Sequence, residues 1–198
     1  MHNPSFILWI LIAYLIGSIP TGYWIGRLQG IDLTKVGSGS TGATNVLRNV
    51  GKISAILTLL IDMLKGLLPV YFSILFNWNN ILICFIAIAC IIGHSKSIFL
   101  KFKGGKSSAT GLGIVMAISW QTALIIFCIW IVVVWFSKYS SLGSIIAVPL
   151  TPLLLYFFKK PMAYIVFTIF AAIYIIVIRH MDNIKRLLSG TEPKIGTN

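Results

Sequence analysis

Acidic side chains are scarce. The 198-residue chain has four of them, Asp32, Asp62, Asp182 and Glu192, and they are scattered. A divalent-cation cage needs several carboxylates close together, so no dedicated metal site is expected. Charge of either sign is also thin, at 10% of residues. So few charges cannot cover a soluble surface, and lipid must be the solvent for much of the chain. Cysteine is limited to Cys84, Cys90 and Cys128, all in apolar runs, where they read as small buried hydrophobes without a role of their own. The first apolar run carries no charge on its N-terminal flank and leads into more membrane, so it reads as a retained span rather than a cleaved signal.

What is present is apolar and basic. Hydrophobic residues make up 58% of the chain, and mean hydropathy is +0.94. A lipid-spanning helix needs about 20 apolar residues. Residues 4–26, 53–76 and 80–99 supply three such runs. The run 107–137 is too long for one span and breaks at Trp120-Gln121, which predicts a short helix followed by a longer one. Residues 141–158 and 161–179 complete a set of seven. Lys and Arg total sixteen: thirteen fall in one set of loops and the tail, only Lys159 and Lys160 fall in the other set, and Lys65 lies inside a span. That asymmetry places the N-terminus outside and the C-terminus in the cytoplasm. The expected fold is an all-α polytopic membrane protein, one domain over residues 1–198 with seven transmembrane helices. The long connections, about 27–52 and 95–107, are then cytoplasmic, and function is to be sought there and in the tail from Arg179.

Three segments carry chemistry. The first, Val36 to Asn49, combines Gly37, Gly39 and Gly42 with Ser38, Ser40, Thr41, Thr44, Asn45 and Arg48. Glycines let successive backbone N–H groups curl around an anion, hydroxyls and Asn add donors, and Arg adds a forked cation suited to phosphate. The stretch contains G-x-G-x-x-G, and Asp62 follows Gly42 by twenty residues, but membrane helices flank it instead of a βαβ unit. A dinucleotide site is therefore rejected; a flexible linker is the bland alternative. The second segment, Phe102 to Gly113, includes Gly104-Gly105-Lys106-Ser107, which ends like a phosphate-binding loop, yet Leu100 stands where the first glycine of that motif belongs. A glycine pair opening a helix with Lys106 at its first turn remains an anion site, while Lys96, Lys101 and Lys103 read as orientation charges. The third segment runs from Arg179 to Lys194 and puts His180, Asn183 and Arg186 or Leu187 on one helical face. It can equally be an amphipathic helix lying on anionic lipid. Asp62 and Lys65 sit i,i+3 within a span, a spacing that suits either a functional site or a satisfied ion pair. Ser140, Ser141 and Ser144 lie at a cytoplasmic border, where serine is most often a cap.

Taken in order, Gly17–Tyr23 (GSIPTGY), Gly37–Gly51 (GSGSTGATNVLRNVG), Gly93-His94, FKGGK with ATGLG, and His180–Glu192 (H-x-x-N-I-x-R-L-L-x-G-x-E) resemble the PlsY family over nearly the whole chain. One departure is Ser107-Ser108, where that family usually has Gly-Val. The resemblance implies a seven-helix enzyme of the bacterial inner membrane with its site facing the cytoplasm. It would move a fatty acyl group from acyl phosphate to the 1-hydroxyl of sn-glycerol 3-phosphate, giving lysophosphatidate and phosphate, the first acylation of phospholipid synthesis. It implies no cofactor, metal, nucleotide or acyl-CoA, no nucleic-acid partner, and an upstream enzyme that forms acyl phosphate. By motif, Ser38, Gly39, Thr44 and Asn45, with the neighbouring Ser40 hydroxyl, would cradle the donor phosphate. Arg48, Lys106, Ser141, His180 and Asn183 would hold glycerol 3-phosphate around the reaction centre.

An H-x-x-x-x-D acyltransferase box is absent, because Phe99 and Lys185 stand five residues after His94 and His180. The proton acceptor is then either a substrate phosphate oxygen or His180. Two other classes compete: an anion transporter, which would show inverted repeats and broken midplane helices, and a metal-dependent lipid phosphotransferase, which wants clustered carboxylates.

Overall fold

A computed structural model describes residues 4–196. Among them every regular element is helical. Helix α1 (Pro4–Ser18) breaks at Ile19-Pro20 and resumes as α2 (Thr21–Leu28), since Pro20 has no N–H to continue the ladder. A loop then carries α3 (Ala43–Asn49), followed by the long α4 (Lys52–Leu75) and α5 (Asn80–Ser95). The run expected to span 80–99 stops at Ser95, because the chain turns into a tight hairpin closed by an antiparallel bridge between Ser97 and Lys103.

Helix α6 (Ser108–Ile118) and α7 (Trp120–Ser137) divide at Ser119, whose hydroxyl accepts from the Thr122 N–H and starts α7. The division expected at Trp120-Gln121 is thus made by a serine cap. Helices α8 (Ser140–Ala147) and α9 (Thr151–Phe157) form one stretch through a 3₁₀ turn. Helix α10 (Met162–Ile173) runs into a π-helical turn, Tyr174–Ile178, and α11 (Met181–Leu188) leaves at 54° to it.

Each expected apolar run is helical, but length divides them. Phe6–Leu28, Lys52–Leu75, Trp120–Ser137 and Ser140–Phe157 are long and apolar enough to cross a bilayer, and the bent pair Met162–Ile178 with Met181–Leu188 makes a fifth if taken as one span. Helices α5 and α6, with 16 and 11 residues, are apolar but short.

The surface is apolar where a soluble protein would be charged: Leu8, Ile53, Leu60, Phe85, Trp135 and Phe170 all stand exposed. The interior holds one main cluster, including Ala13, Val70, Ile83, Ile86, Ile114 and Leu155, drawn from α1, α4, α5, α6 and α9. Close backbone approach sets the frame, as expected where lipid gives helices no hydrophobic reason to pair. A Cβ on Gly66 of α4 would lie 2.1 Å from the Thr110 carbonyl oxygen of α6, and one on Gly113 would lie 1.9 Å from that of Met63. This contact brings the start of α6 up to α4 and beside the glycine loop.

Candidate functional site

The loop between α2 and α3 is organised by one side chain. Buried Asn45 donates from Nδ2 to the carbonyls of Ser40 (2.8 Å), Val36 (3.2 Å) and Leu33 (3.3 Å). Its Oδ1 accepts from the Ser38 N–H (3.1 Å) and from Asn49 Nδ2 (3.0 Å). The amide is therefore bonded to the loop itself and gives the loop its curl. Gly39 holds a left-handed turn at φ +66° on the outside of that curl and does not line the cleft. Ser38, Ser40 and Thr44 do line it, with Thr44 Oγ1 2.8 Å from Ser140 Oγ across the opening.

That opening is a cleft of about 140 Å³. Arg48, Lys106, Ser141, His180 and Asn183 all reach it, from α3, the α5–α6 loop, α8 and the segment after α10. Lys106 Nζ donates to Asn183 Oδ1 at 2.5 Å. Arg48 Nη2 donates to the Pro193 carbonyl at 2.6 Å, and its Nε is buried without a partner. The expected Asp62–Lys65 pair is present at 2.5 Å, and Asp62 forms part of the cleft floor together with His94.

Glu192 is the residue that sequence reasoning passed over. Its Oε1 accepts from Ser141 Oγ and Asn183 Nδ2, both at 2.7 Å, and its Oε2 accepts from Arg186 Nε at 2.8 Å. Its signals in the sequence are a lone acid closing a basic tail and its place as the last residue of the His180–Glu192 motif. Because Glu192 only accepts, the NH₂ of Asn183 must face it, which turns the Asn183 oxygen toward Lys106. The segment after α11 thus lies across the cleft, with Pro193 on Arg48 and the Ile195 N–H donating to the Lys138 carbonyl at 2.8 Å.

The electrostatics follow from burial among cations. Burial pushes the Lys106 ammonium down to about 8; Glu192 pulls it back up, while Arg186, Arg48 and Arg179 push it further down. Burial also lowers Arg48, with Glu192 opposing. Burial raises the Glu192 carboxyl, but hydrogen bonds from Ser141, Asn183 and Arg186 outweigh it, and the group ends below its ordinary value. His180, beyond the end of α10, is lowered to about 4 by burial and then by Lys106. Its ring is neutral near pH 7. Its Nδ1 lies 2.9 Å from the Ile175 carbonyl, which can only accept, so Nδ1 carries the proton and Nε2 is left as an acceptor. The π-helical turn is what places that carbonyl under the ring.

The far wall of the cleft is apolar, built from Leu59, Leu112, Ile126, Phe127, Trp130 and Val148. Phe127 and Trp130 stack at 6.1 Å, and Trp130 Nε1 donates to the Ser140 carbonyl at 3.2 Å. Ser107, the departure from the glycine pattern, keeps the left-handed conformation at φ +65°. Its buried hydroxyl donates to the Ile91 carbonyl at 2.9 Å, a bond glycine cannot make and one that offsets the steric cost.

An all-helical fold with an apolar exterior and a cationic cleft adjoining an apolar wall defines an integral membrane protein. The chain belongs to the glycerol-3-phosphate acyltransferase family, whose profile matches residues 7–190. It is similar to the glycerol-3-phosphate acyltransferase of Nostoc sp., 47% identical over a match that covers 94% of this chain and 90% of the relative. It is 44% identical over 186 residues to glycerol-3-phosphate acyltransferase 2 of Thermotoga maritima, covering 93% of this chain and 94% of that one. Among solved structures it is similar to PlsY, an integral membrane glycerol 3-phosphate acyltransferase. Its glycerol 3-phosphate form superposes with a TM-score of 0.92 at 38% identity, covering 98% of this chain and 96% of that one. The lysophosphatidic acid form gives 0.89 at 37%.

Proposed function

We propose that the protein transfers a fatty acyl group from acyl phosphate to the 1-hydroxyl of glycerol 3-phosphate, releasing lysophosphatidate and phosphate. The observation that carries this reading is the meeting of Arg48, Lys106, Ser141, His180 and Asn183 in one cleft that is cationic at one end and apolar at the other. In it the curled loop with Ser38, Gly39, Ser40, Thr44 and Asn45 serves the donor phosphate. Asn45 and Gly39 act by shaping the loop, and the three hydroxyls act by donation. Arg48 and Lys106 hold the phosphate of glycerol 3-phosphate, exchanging the Pro193 and Asn183 oxygens for it. The donor's hydrocarbon lies along the Phe127–Trp130 wall.

The chemistry needs no covalent intermediate, because acyl phosphate is already activated. The substrate hydroxyl oxygen attacks the acyl carbonyl carbon, the carbonyl–O–phosphate bond breaks, and phosphate leaves with the electron pair. Neutral His180 accepts a hydrogen bond from the hydroxyl through Nε2 and orients it. A base of pKa about 4 is a poor final acceptor, whereas the phosphate that departs with the electron pair is a much stronger base, so the proton ends on it and it is released as hydrogen phosphate. Two anions repel as they approach, and the cations and loop donors offset this, so catalysis is positioning with charge stabilisation.

In the bilayer, we assign seven spans to α1 with α2, α4, α5, α6, α7, α8 with α9, and α10. The N-terminus is outside, and the cleft and C-terminal segment are on the cytoplasmic face of the bacterial inner membrane. The short α5 and α6 would cross as part of a bundle with their ends in polar loops. The donor would come from an enzyme that forms acyl phosphate. The test offers acyl phosphate and acyl-CoA separately to purified protein with glycerol 3-phosphate. Lysophosphatidate from acyl phosphate alone is expected. Product from acyl-CoA alone overturns the donor assignment, and no product from either overturns the reading.

A further inference from the structure

Several features remain outside the chemistry above: the Asp62–Lys65 pair, His94, the adjacent glycines 104 and 105, and Arg179. They form one connected frame. We infer that Arg179 and His94 are positioning residues, the two jaws of a clamp on the backbone of Gly104 and Gly105 that aims Lys106 into the cleft.

The upper jaw is a guanidinium. Arg179 Nη2 donates to the carbonyls of Gly105 at 2.9 Å and Gly104 at 3.2 Å. Arg179 does not line the cleft; its contact with the site runs through this backbone, beside the through-space effect of its charge on Lys106. The lower jaw is the end of α5. The Gly105 N–H donates to the His94 carbonyl at 3.1 Å. A Cβ on Gly104 would lie 2.3 Å from that same carbonyl oxygen, and one on Gly105 would lie 2.1 Å from His94 Nε2. The two glycines are therefore small because the loop is pressed between two fixed groups.

The lower jaw has its own support. His94 Nδ1 lies 3.8 Å from Asp62 Oδ1, Asp62 pairs with Lys65 at 2.5 Å, and the Lys65 ammonium also donates to the Ile19 carbonyl at the helix break before Pro20, which accepts from the Thr21 N–H as well. On the far side of Lys106, Ser107 is tied to the Ile91 carbonyl at 2.9 Å. Lys106 is thus the one long side chain leaving a backbone fixed on both sides. A planar fork suits two neighbouring carbonyls, and an ammonium satisfies them less well.

The inference rests on the reading that Lys106 holds glycerol 3-phosphate while the 38–45 loop holds the donor. It therefore predicts a selective defect. In steady-state assays of the purified full chain with both substrates varied, Arg179→Gln is expected to raise KM for glycerol 3-phosphate about tenfold or more, because an ångström of misplacement is felt strongly. KM for acyl phosphate should stay within about twofold on the same ground. Arg179→Lys should recover part of the loss. Gly105→Ala, which drives a methyl into the His94 ring, should raise the same KM. Thermal unfolding of each variant is followed in parallel. An unchanged glycerol 3-phosphate KM in folded Arg179→Gln or Gly105→Ala overturns the clamp. So does an equal rise in both KM values, or failure of both variants to fold, since either makes the contacts general supports of the structure. A wild-type protein that forms no lysophosphatidate sinks the proposed function instead, whatever the variants do.

Discussion

Lys106 and Glu192 sit at opposite ends of a single amide. Lys106 Nζ donates to Asn183 Oδ1 at 2.5 Å, and Asn183 Nδ2 donates to Glu192 Oε1 at 2.7 Å. The acid does not touch the cation, yet it decides which atom of Asn183 the cation meets.

Replacing that acid should therefore disturb more than one bond. Glu192→Ala leaves Asn183, Ser141 and Arg186 without their acceptor and removes the negative charge buried among cations. A loss of kcat/KM of about a hundredfold is expected, together with about 3 kcal/mol of stability. Glu192→Gln keeps the shape but can present NH₂ to Asn183, which lets that amide turn over, and should cost about tenfold. Lysophosphatidate assays and thermal unfolding check both, and a Gln variant as active as wild type refutes the orienting role.

The pH profile should report Lys106. Its pKa is pushed down to about 8 in the free protein. Below that value the side chain is an ammonium and attracts phosphate; above it the charge is lost. The rate at low glycerol 3-phosphate should accordingly fall as pH rises through about 8. Lys106→Arg should remove this descending limb from the measurable range, since a guanidinium keeps its charge. A profile flat from neutral to about pH 10, the ordinary lysine range, would contradict the assignment.

Ser107 offers a test of backbone strain. Ser107→Gly relieves a left-handed φ, worth about 1 kcal/mol, but gives up a hydrogen bond of about the same size. Its unfolding temperature should stay close to wild type. Ser107→Ala keeps the strain and loses the bond to Ile91, so it should be less stable by about 1 kcal/mol. Equal stability of the Ala and wild-type proteins would remove the hydroxyl from the account.

Within the membrane interior, Lys65→Met leaves Asp62 without its cation and should destabilise by about 3 to 5 kcal/mol. The double variant Asp62→Asn with Lys65→Met removes both charges and should be the milder of the two. Thermal unfolding in detergent distinguishes them. A double variant worse than the single would mean that the charges serve something beyond each other.

On the apolar wall, Trp130→Ala should raise KM for acyl phosphate by about tenfold, consistent with a buried aromatic contact, and leave KM for glycerol 3-phosphate alone. The same two-substrate kinetics decide it.

Much of this was legible in the chain because lipid imposes a strong pattern. Every apolar run is helical, and Thr44, Asn45 and Arg48 share the short α3. What spacing could not convey was which polar atoms would be taken up internally. Asn45 reads as a donor for an anion, yet its amide is bound to Leu33, Val36 and Ser40. Glu192 and Arg179 act across long stretches of sequence, on Ser141 and on Gly104, and no local periodicity marks such pairs. The end of α5 was also misplaced, because the hairpin at Ser97 is apolar enough to pass for membrane.

Among the described residues, Glu192 lies C-terminal to all eleven α-helices. It is therefore synthesised after every span, and until then Arg48, Lys106 and Arg179 stand without its counter-charge. The wall that Glu192 and Pro193 supply is thus the last part of the cleft to be synthesised, and it closes on residues made long before it.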